Sequence, residues 1–325
     1  MDIQRIEAAA ERLRGHARVT PLLSSPFLDE IAGRRVLVKP ECLQHTGSFK
    51  YRGARSAVSA LTDAQRSQGV IAYSSGNHAQ GVALAAQQFG ISAVIVMPSD
   101  APKMKIDNTR AFGAEVVLYD RANEDREVIG GRIAEERGLA LIRPYDEPNV
   151  IAGQGTCGLE IASQASEMGV TDADVLVCCG GGGLTSGIAL ALEAKAPGMR
   201  ARPVEPERFD DVTRSLASGQ IEANATTAGG LCDAIVTRQP GNLTFPIMQR
   251  LCGPGIVVSD KDAQHAMAQA FARLKLVAEP GGAVALAAAL FHGEQIEGDT
   301  VIVTISGGNV DQAVFQTALD KFGDG

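Results

Sequence analysis

A lysine with unusual neighbours is the first residue in the chain that could do chemistry. Lys50 follows Thr46 to Phe49 and precedes Tyr51 to Ala54, so it lies among small, turn-forming and apolar residues where a helix is predicted to begin. A desolvated pocket lowers the pKa of a lysine, and the neutral amine can then attack a carbonyl to form a Schiff base. A solvated lysine with a structural role is the alternative that this motif by itself leaves open.

Four consecutive glycines form a second candidate site, and these are Gly180, Gly181, Gly182 and Gly183. They follow an apolar run predicted to be a buried strand and precede a predicted helix. Such a backbone can direct several N–H groups toward one point, and the helix dipole adds positive potential, so the run predicts a phosphate-binding loop. It is neither a Walker loop nor a G-x-G-x-x-G motif. Glu205 nevertheless ends the next predicted strand, which leaves a nucleotide-binding oxidoreductase open as an alternative.

Two polar loops also follow predicted strands. The first runs Ser-Ser-Gly-Asn-His-Ala-Gln-Gly over residues 74–81 and carries two hydroxyls, an amide and an imidazole where a helix is predicted to begin. These are more polar side chains than a helix N-terminus needs, so a ligand site is favoured over a simple cap. The second runs Ser-Gly-Gly-Asn-Val-Asp over residues 306–311, where the serine is placed to hydrogen-bond a ligand, although a plain turn explains its glycines equally well.

The elements that must position these loops are predicted from the alternation of apolar runs and amphipathic stretches. Strands are predicted at 70–73, 93–97, 115–119 and 139–142, with helices between them. A second set begins near residue 150, with strands at 174–178, 200–204, 255–258 and 300–304. This spacing predicts βαβ units and an α/β fold with mainly parallel sheets flanked by helices. Since no linker separates the sets, we expect them to share a cleft, with ligands at the carboxyl ends of strands.

Length and composition restrict the remaining possibilities. The 325 residues are 45% hydrophobic, which is enough for a large core in one or two domains. The net charge of -8 disfavours nucleic acid and membranes as partners, and no apolar run approaches a membrane span of about 18 residues. No signal-peptide pattern opens the sequence, so we expect a cytoplasmic protein. The six cysteines have no CxxC spacing and are predicted to be buried free thiols.

Taken together, these motifs resemble those of the fold-type II (tryptophan-synthase β-like) pyridoxal-phosphate enzymes, above all the serine/threonine dehydratase and serine racemase branch. The match covers nearly the whole chain in order and comprises Lys39 to Ala54, Ser74 to Gly81, Ile151 to Thr156, the four glycines, and Ser306 to Val310. The resemblance implies a two-domain α/β enzyme with pyridoxal 5'-phosphate in the interdomain cleft. We expect residues 1–64 and 148–325 to form a large cofactor-binding domain and residues 65–147 a small mobile domain.

The resemblance also implies a role for each site residue. Lys50 would form the Schiff base with the cofactor and later move the α-proton of the substrate, as the catalytic residue. The other cofactor contacts would be Phe49 against the ring, Asn77 at the 3'-oxygen, Gly180 to Gly183 at the phosphate, and Ser306 at the pyridine nitrogen. The substrate carboxylate would bind the loop made of Ser74, Ser75, Gly76, Asn77 and His78.

For activity, the resemblance implies elimination of water from L-serine, L-threonine or a related 3-hydroxy amino acid, giving a 2-oxo acid and ammonia. A serine at the pyridine nitrogen does not enforce protonation of the ring, which makes the ring a weaker electron sink. Prompt loss of a β-hydroxyl avoids accumulation of a carbanion, so elimination suits such a site. Ser75 matches the acid/base that serine racemases place opposite the lysine, and amino-acid racemisation therefore stays open as a second activity.

An acidic stretch at residues 205–211 resembles the divalent-cation loop of the same branch. The ligands of a Mg²⁺, Mn²⁺ or Ca²⁺ ion would be the carboxylates of Glu205 and Asp211 and the backbone carbonyl of Phe209. The bulk of Phe209 departs from the small residue usual in the family, and a solvated acidic helix start is the alternative. The resemblance also implies a homodimer that acts on a small amino acid.

Overall fold

The computed structural model describes residues 1–74, 76–101, 103–120, 123–226 and 228–323. The strands in these ranges are β1 (Leu23–Ser24), β2 (Arg35–Pro40), β3 (Val70–Tyr73), β4 (Ala93–Pro98), β5 (Glu115–Tyr119), β6 (Ala140–Leu141), β7 (Ala173–Cys178), β8 (Met199–Pro206), β9 (Ile256–Val258) and β10 (Thr300–Ile305). The α-helices are α1 (Ile3–Leu13), α2 (Pro26–Ala32), α3 (Lys50–Ser59), α4 (Asp63–Gln68), α5 (Asn77–Phe89), α6 (Lys103–Ala111), α7 (Arg126–Arg137), α8 (Pro148–Glu167), α9 (Gly183–Lys195), α10 (Asp211–Ser218), α11 (Thr244–Leu251), α12 (Asp260–Leu274), α13 (Pro280–Phe291) and α14 (Gln312–Phe322).

Two sheets organise these elements. In the larger sheet the strands lie in the order β1-β2-β10-β7-β8-β9, and neighbours are parallel except for β1 and β2. The smaller sheet has the order β5-β4-β3-β6 and is parallel throughout. Every residue of β4 and of β7 is buried, because helices cover both faces of each sheet. The α/β fold with parallel sheets flanked by helices, predicted from the spacing, is confirmed.

The predicted strands have nearly the limits that the structure shows, but several elements were not predicted, among them β2 and the long helix α8. The strand at 115–119 has the predicted limits, whereas α5 begins at Asn77, two residues before the predicted start at Ala79. The sequence pattern gives no signal for α8, since its glycines lower helix propensity. Packing requires those glycines: a Cβ at Gly153 would lie 2.5 Å from the carbonyl oxygen of Arg52 in α3, and one at Gly158 would lie 2.9 Å from Cα of Ile188 in α9.

Helix α13 supports the end of the sheet at which β10 finishes. It is buried from Pro280 to Leu290, and seven of its 12 residues are alanine or glycine, whose small size lets the helix pack closely against β10 and α12. The residue before it, Glu279, donates its backbone N–H to the carbonyl of Gly307 at 3.0 Å. The start of α13 therefore lies beside the loop that follows β10. Within the described ranges, none of the helices combines the length and the hydropathy that crossing a bilayer requires.

Candidate active site

The three candidate loops and Lys50 meet at one place in the structure. The polar loop follows β3, the glycine run follows β7, and Ser306 follows β10, so all three lie at the carboxyl ends of parallel strands. The segment before Lys50 joins the last of these, because the backbone N–H of Phe49 donates to the carbonyl of the buried Ser306 at 3.1 Å. Loops that are far apart in the chain thus form one cleft between the two sheets.

Lys50 is the first residue of α3 and faces two neighbouring cavities. One cavity is lined by the glycine run and the other by residues of the polar loop. The Nζ atom of Lys50 donates to the carbonyl of Pro144 at 3.0 Å and lies 5.1 Å from the centre of the Phe49 ring. Burial lowers the pKa of Lys50 to about 8, although the nearby carboxylate of Glu279 acts in the opposite direction. An amine with this pKa has an appreciable neutral fraction near neutral pH, as Schiff-base formation requires.

The glycine run forms a backbone cradle at the start of α9. Gly182 has φ +89°, which side chains rarely adopt, and it immediately precedes the first turn of that helix. A Cβ at Gly181 would lie 2.4 Å from the ring of Tyr145, so this position also requires glycine. The hydroxyl oxygen of Thr185, in the first turn of α9, is buried and has no hydrogen-bond partner among the described residues. A phosphate group fits this arrangement of N–H groups, helix dipole and free hydroxyl.

The polar loop contains a neutral histidine and a serine whose hydroxyl is hydrogen-bonded within the loop. The Oγ atom of Ser74 accepts a hydrogen bond from the backbone N–H of Gly76 at 3.2 Å. Nε2 of His78 lies 2.9 Å from the carbonyl of Ile142, so this nitrogen carries the proton that is donated. Burial and the charge of Lys50 lower the pKa of His78 to about 3, which keeps the imidazole neutral. Ser75, the other acid/base predicted from the sequence, lies outside the described residues.

Asn77 is held on both sides of its amide. Its Nδ2 donates to Oε1 of Glu279 at 2.5 Å, and its Oδ1 accepts from Nδ2 of Asn309 at 2.8 Å. Asn309 Nδ2 also donates to the carbonyl of Thr46 at 2.7 Å, so the orientation of both amides follows from one chain of donors and acceptors. One hydrogen of the Asn77 amide remains for a ligand in the cleft.

Glu279 is a functional candidate that the sequence analysis missed. Its carboxylate is buried, and burial raises its pKa to about 7, against the lowering effects of Lys105, Asn77 and Lys50. In the sequence it stands directly before Pro280 at the start of a helix, where an acidic residue is unremarkable. Its contacts are with residues far away in the sequence, so no local sequence pattern marks it as buried.

Two further residues line the cavities without having been predicted. Tyr145 borders both cavities at Lys50 and covers Gly181, and burial raises the pKa of its hydroxyl to about 12. Arg126 borders the cavity of the polar loop, where its guanidinium carbon lies 5.6 Å from the centre of the Tyr73 ring. Among the described residues, no carboxylate forms an ion pair with Arg126.

The acidic stretch lies next to the glycine run, at the end of β8. Both oxygens of Glu205 accept hydrogen bonds at the start of α10, at 2.9 Å from Val212 N and 2.7 Å from Thr213 N. Asp211 accepts from Nδ2 of Asn224 at 2.6 Å, while its Oδ2 is buried without a partner in the described part of the chain. Burial and mutual repulsion raise the pKa of Glu205 to about 8, and burial raises that of Asp211 to about 7.

The side chain of Phe209 is buried rather than directed into solvent, and a Cβ at Gly230 would lie 2.5 Å from its ring. The described residues contain no group of three or more His, Cys, Asp or Glu side chains that could hold a metal ion. The site predicted from the sequence has only two acidic side chains, and its third ligand is a backbone carbonyl, so it is not a group of that kind. The free Oδ2 of Asp211 is nevertheless a buried oxygen that a hard cation would satisfy.

Comparisons with known proteins agree with this geometry. Residues 13–307 match the sequence model of a family described as pyridoxal-phosphate dependent enzyme. The chain is 46% identical to the L-threo-3-hydroxyaspartate ammonia-lyase of a Pseudomonas species, over 96% of both chains. It is 41% identical to the serine racemase of Schizosaccharomyces pombe, over 94% of this chain and 93% of that protein.

A solved structure shows the same fold. A threonine deaminase from the organism abbreviated T.th. superposes with a TM-score of 0.90 at 45% identity, covering 96% of this chain and 99% of that one. The similarity therefore extends along nearly the whole chain and includes both sheets.

Proposed function

Because the chain belongs to the family of pyridoxal-phosphate dependent enzymes, we propose that it is an ammonia-lyase that removes water from a 3-hydroxy amino acid to give a 2-oxo acid and ammonia. The position of Lys50 carries the proposal. It is an amine with a pKa of about 8, and it lies between a loop suited to phosphate and a loop suited to a carboxylate. Relatives named as ammonia-lyase and threonine deaminase support the reaction class.

The residues present fit pyridoxal 5'-phosphate. The glycine run and the free hydroxyl of Thr185 would hold the phosphate, and the Lys50 amine would bond to the carbonyl carbon. The remaining amide hydrogen of Asn77 would bind the 3'-oxygen, and Ser306 would face the nitrogen of the pyridine ring. Phe49, whose ring adjoins the Lys50 amine, would pack on the ring face. When bound, the cofactor supplies an electron sink that makes the α-hydrogen of the substrate acidic.

The chain itself would bind the substrate and move its proton. Backbone N–H groups at the start of α5, in the loop of Ser74 to His78, would hold the α-carboxylate of the substrate. The neutral amine of Lys50 would take the proton from the α-carbon, and the resulting ammonium would supply a proton to the β-hydroxyl, which leaves as water. His78 is neutral, with a pKa of about 3, and therefore contributes a hydrogen bond rather than an acid. Tyr145, which covers the glycine run, would shield the reacting atoms from water.

The test measures 2-oxo acid and ammonia from L-serine, L-threonine and L-threo-3-hydroxyaspartate. The protein loaded with pyridoxal phosphate should form both products from at least one substrate, and borohydride should bleach its colour and label Lys50. Lys50→Ala should lose both properties. Lys103→Ala, at an exposed lysine on α6, is the matched control and should keep them. A colourless protein that forms no 2-oxo acid after added pyridoxal phosphate would refute the proposal.

Arg126 supports a dicarboxylic substrate within this class. It is a half-buried cation at the cavity of the polar loop and has no ion-pair partner in the part of the chain that the structure describes. A carboxylate on the β-carbon of the substrate would satisfy this charge, whereas the methyl group of threonine would not. We therefore propose L-threo-3-hydroxyaspartate, the substrate named for the Pseudomonas relative, as the preferred substrate.

Racemisation is the second candidate activity, favoured by the similarity to the serine racemase of Schizosaccharomyces pombe. It requires an acid/base on the substrate face opposite Lys50, for which the sequence offers Ser75. Chiral analysis of the amino acid left after partial reaction measures it. If Ser75 is that acid/base, Ser75→Ala should abolish formation of the D-isomer and retain much of the elimination. Equal loss of both would contradict the two-base assignment.

We also propose that Glu205, Asp211 and the carbonyl of Phe209 bind a divalent cation such as Mg²⁺, Mn²⁺ or Ca²⁺. Without a cation, the pKa values of about 8 and about 7 mean that the folded chain holds protons that the unfolded chain releases. The contribution of these two carboxyl groups to the free energy of unfolding should then be complete below their ordinary pKa values, 4.5 and 3.8. It should be lost as the pH rises to about 8. Added Mg²⁺ should reduce that loss in a thermal melt.

Two variants separate binding at this site from general salt effects. Asp211→Asn should remove the stabilisation by Mg²⁺, whereas Glu207→Gln, at an exposed carboxylate in the same loop, should retain it. A melting temperature that responds equally to Mg²⁺ in both variants would contradict the site.

The remaining proposals concern assembly and compartment. A homodimer is supported by exposed aromatic rings on adjoining helices, Phe27 of α2 at 55% and Phe271 of α12 at 42% exposure, since Arg273 of α12 lies over the Phe27 ring. Light scattering of the protein and of Phe27→Glu measures the mass. Residues 65–147 would form the small domain that moves, and the cytoplasm is the proposed compartment.

A further inference from the structure

A buried lysine that has no part in the proposed reaction crosses the cleft. Lys105 belongs to α6, which packs with α5 and β5 of the smaller sheet, and its side chain is only 4% exposed. Its Nζ lies 3.2 Å from Oδ2 of Asp233 and 4.0 Å from Oε2 of Glu279. Both carboxylates belong to segments at the other sheet, a short 3-10 helix at 233–235 and the residue before α13. One ammonium group therefore links the two halves of the molecule.

Charge compensation explains the position of Lys105. A buried ammonium is costly unless carboxylates accompany it. Burial acts to lower the pKa of Lys105, but the attraction of Glu279 and Asp233 outweighs this effect and the pKa is raised. In turn, Oε2 of Glu279 is buried and accepts no hydrogen bond from the described residues, so the nearby charge of Lys105 is its compensation. Lys103, two residues earlier, is exposed and pairs with Asp107 at the surface.

The same ion pair contacts the proposed site. A Cβ at Gly76 would lie 3.3 Å from Cδ of Lys105, so the stem of the lysine covers the polar loop. The other oxygen of Glu279, Oε1, accepts the hydrogen bond from Nδ2 of Asn77 at 2.5 Å. Glu279 thus uses one oxygen to orient the amide that faces the cleft and the other to face the lysine that crosses it.

We propose that Lys105 is a positioning residue: its ammonium, between Asp233 and Glu279, holds α5 and α6 closed over the cleft and keeps the Asn77 amide in one orientation. Its link to catalysis rests on the proposed function, whereas closure is a property of the chain itself. Without the ammonium, Glu279 would be a buried carboxylate that has lost its ion-pair partner, so it would either take up a proton or draw in water as the cleft opens. Substrate binding should suffer more than turnover.

The first test needs no catalytic activity. Acylation with a dilute amine reagent and peptide mapping compare Lys105 with Lys103 in one molecule. Because Lys105 is buried and paired, we expect it to react at least about tenfold more slowly. Asp233→Asn, at a side chain that is 52% exposed, should make Lys105 more reactive and speed hydrogen exchange in α5, with little change in melting temperature. Equal reactivity of the two lysines in the unaltered protein would overturn the proposal.

The second test is kinetic. Lys105→Met should raise KM about 10- to 100-fold with a smaller change in kcat, Lys105→Arg should recover most of the loss, and Lys103→Met should match the unaltered protein. An unchanged KM together with unchanged exchange in α5 would overturn the proposal. If Lys105→Met does not fold, the acylation and Asp233→Asn results decide. If the unaltered protein forms no 2-oxo acid, the proposed function fails, and the acylation and exchange results still decide whether Lys105 closes the cleft.

Discussion

Replacing Arg126 by methionine should change which substrate is preferred rather than whether the reaction occurs. Methionine keeps much of the length of the side chain and removes its charge. Arg126 borders the same cavity as Lys50 and the polar loop, and its guanidinium adjoins the Tyr73 ring. A substrate whose α-carboxylate lies in the polar loop and whose α-carbon lies at Lys50 would place a β-carboxylate in this cavity. There Lys105 is already paired with Asp233, whereas Arg126 has no carboxylate partner among the described residues.

The expected magnitude follows from the burial of that cation. Hydrogen bonds to charged groups contribute about 1.5–3 kcal/mol, and the partial exposure of Arg126 favours the lower part of that range. At about 1.4 kcal/mol for each factor of ten, kcat/KM for L-threo-3-hydroxyaspartate should fall about 10- to 30-fold. For L-threonine and L-serine, which have no second carboxylate, it should change by less than about threefold.

The assay couples 2-oxo acid formation to a dehydrogenase and compares the three substrates with each variant. Arg110→Met, which removes an exposed charge at the end of α6, is the matched control and should leave all three values unchanged. An equal loss with every substrate would show that Arg126 acts on the fold or on closure, and it would refute recognition of the β-carboxylate. A loss confined to L-threonine would refute it as well.

Three further predictions follow from particular contacts. The rate at which the cofactor-free protein reacts with pyridoxal phosphate should rise about tenfold per pH unit below the Lys50 pKa of about 8 and level off above it. Stopped-flow absorbance measures this rate, and a rate that does not change with pH would contradict attack by a neutral amine. Gly181→Ala should weaken pyridoxal-phosphate binding by about 1–3 kcal/mol, because the added Cβ would lie 2.4 Å from the Tyr145 ring. In a titration with pyridoxal phosphate, the control Gly131→Ala, whose Cβ would have no atom within 4 Å, should bind like the unaltered protein. Arg52→Met should lower the free energy of unfolding, measured with urea, by about 3–5 kcal/mol, because it leaves the buried carboxylate of Glu41 without its ion-pair partner. A loss below about 1 kcal/mol would contradict this and would show that Lys39 compensates the charge of Glu41.

Local patterns in the sequence predict the parts of the site that one segment forms. A run of glycines between a strand and a helix has few physical solutions, so the cradle at Gly180 to Gly183 could be expected from the sequence. The strands are predictable for a similar reason, since runs buried on both faces must be apolar throughout. The start of α3 at Lys50 is likewise marked by the turn residues before it.

Contacts between distant segments have no such signal. Asn77 and Glu279 are 202 positions apart, and their hydrogen bond exists because β3 and β10 end at the same cleft. Each residue separately has an ordinary explanation, one as part of a polar loop and the other as an acidic residue before a helix. Lys105 has the pattern of a surface lysine on an amphipathic helix, and only the fold brings it to a buried position beside Asp233 and Glu279.

The protonation states in the cleft favour elimination over chemistry that needs several acids. His78 is held neutral by burial and by Lys50, and the pKa of Tyr145 is raised to about 12, so neither exchanges protons readily near neutral pH. Glu279 has a pKa of about 7, but its oxygens are committed to the Asn77 amide and to the side facing Lys105. Lys50 is therefore the described group that both faces the cavities and changes protonation near neutral pH. Elimination needs one such base for the α-proton; the β-hydroxyl leaves with a proton as water, and the unsaturated amino acid that remains is hydrolysed to the 2-oxo acid and ammonia. Racemisation needs a second base on the opposite face, so it depends on Ser75, whereas elimination does not.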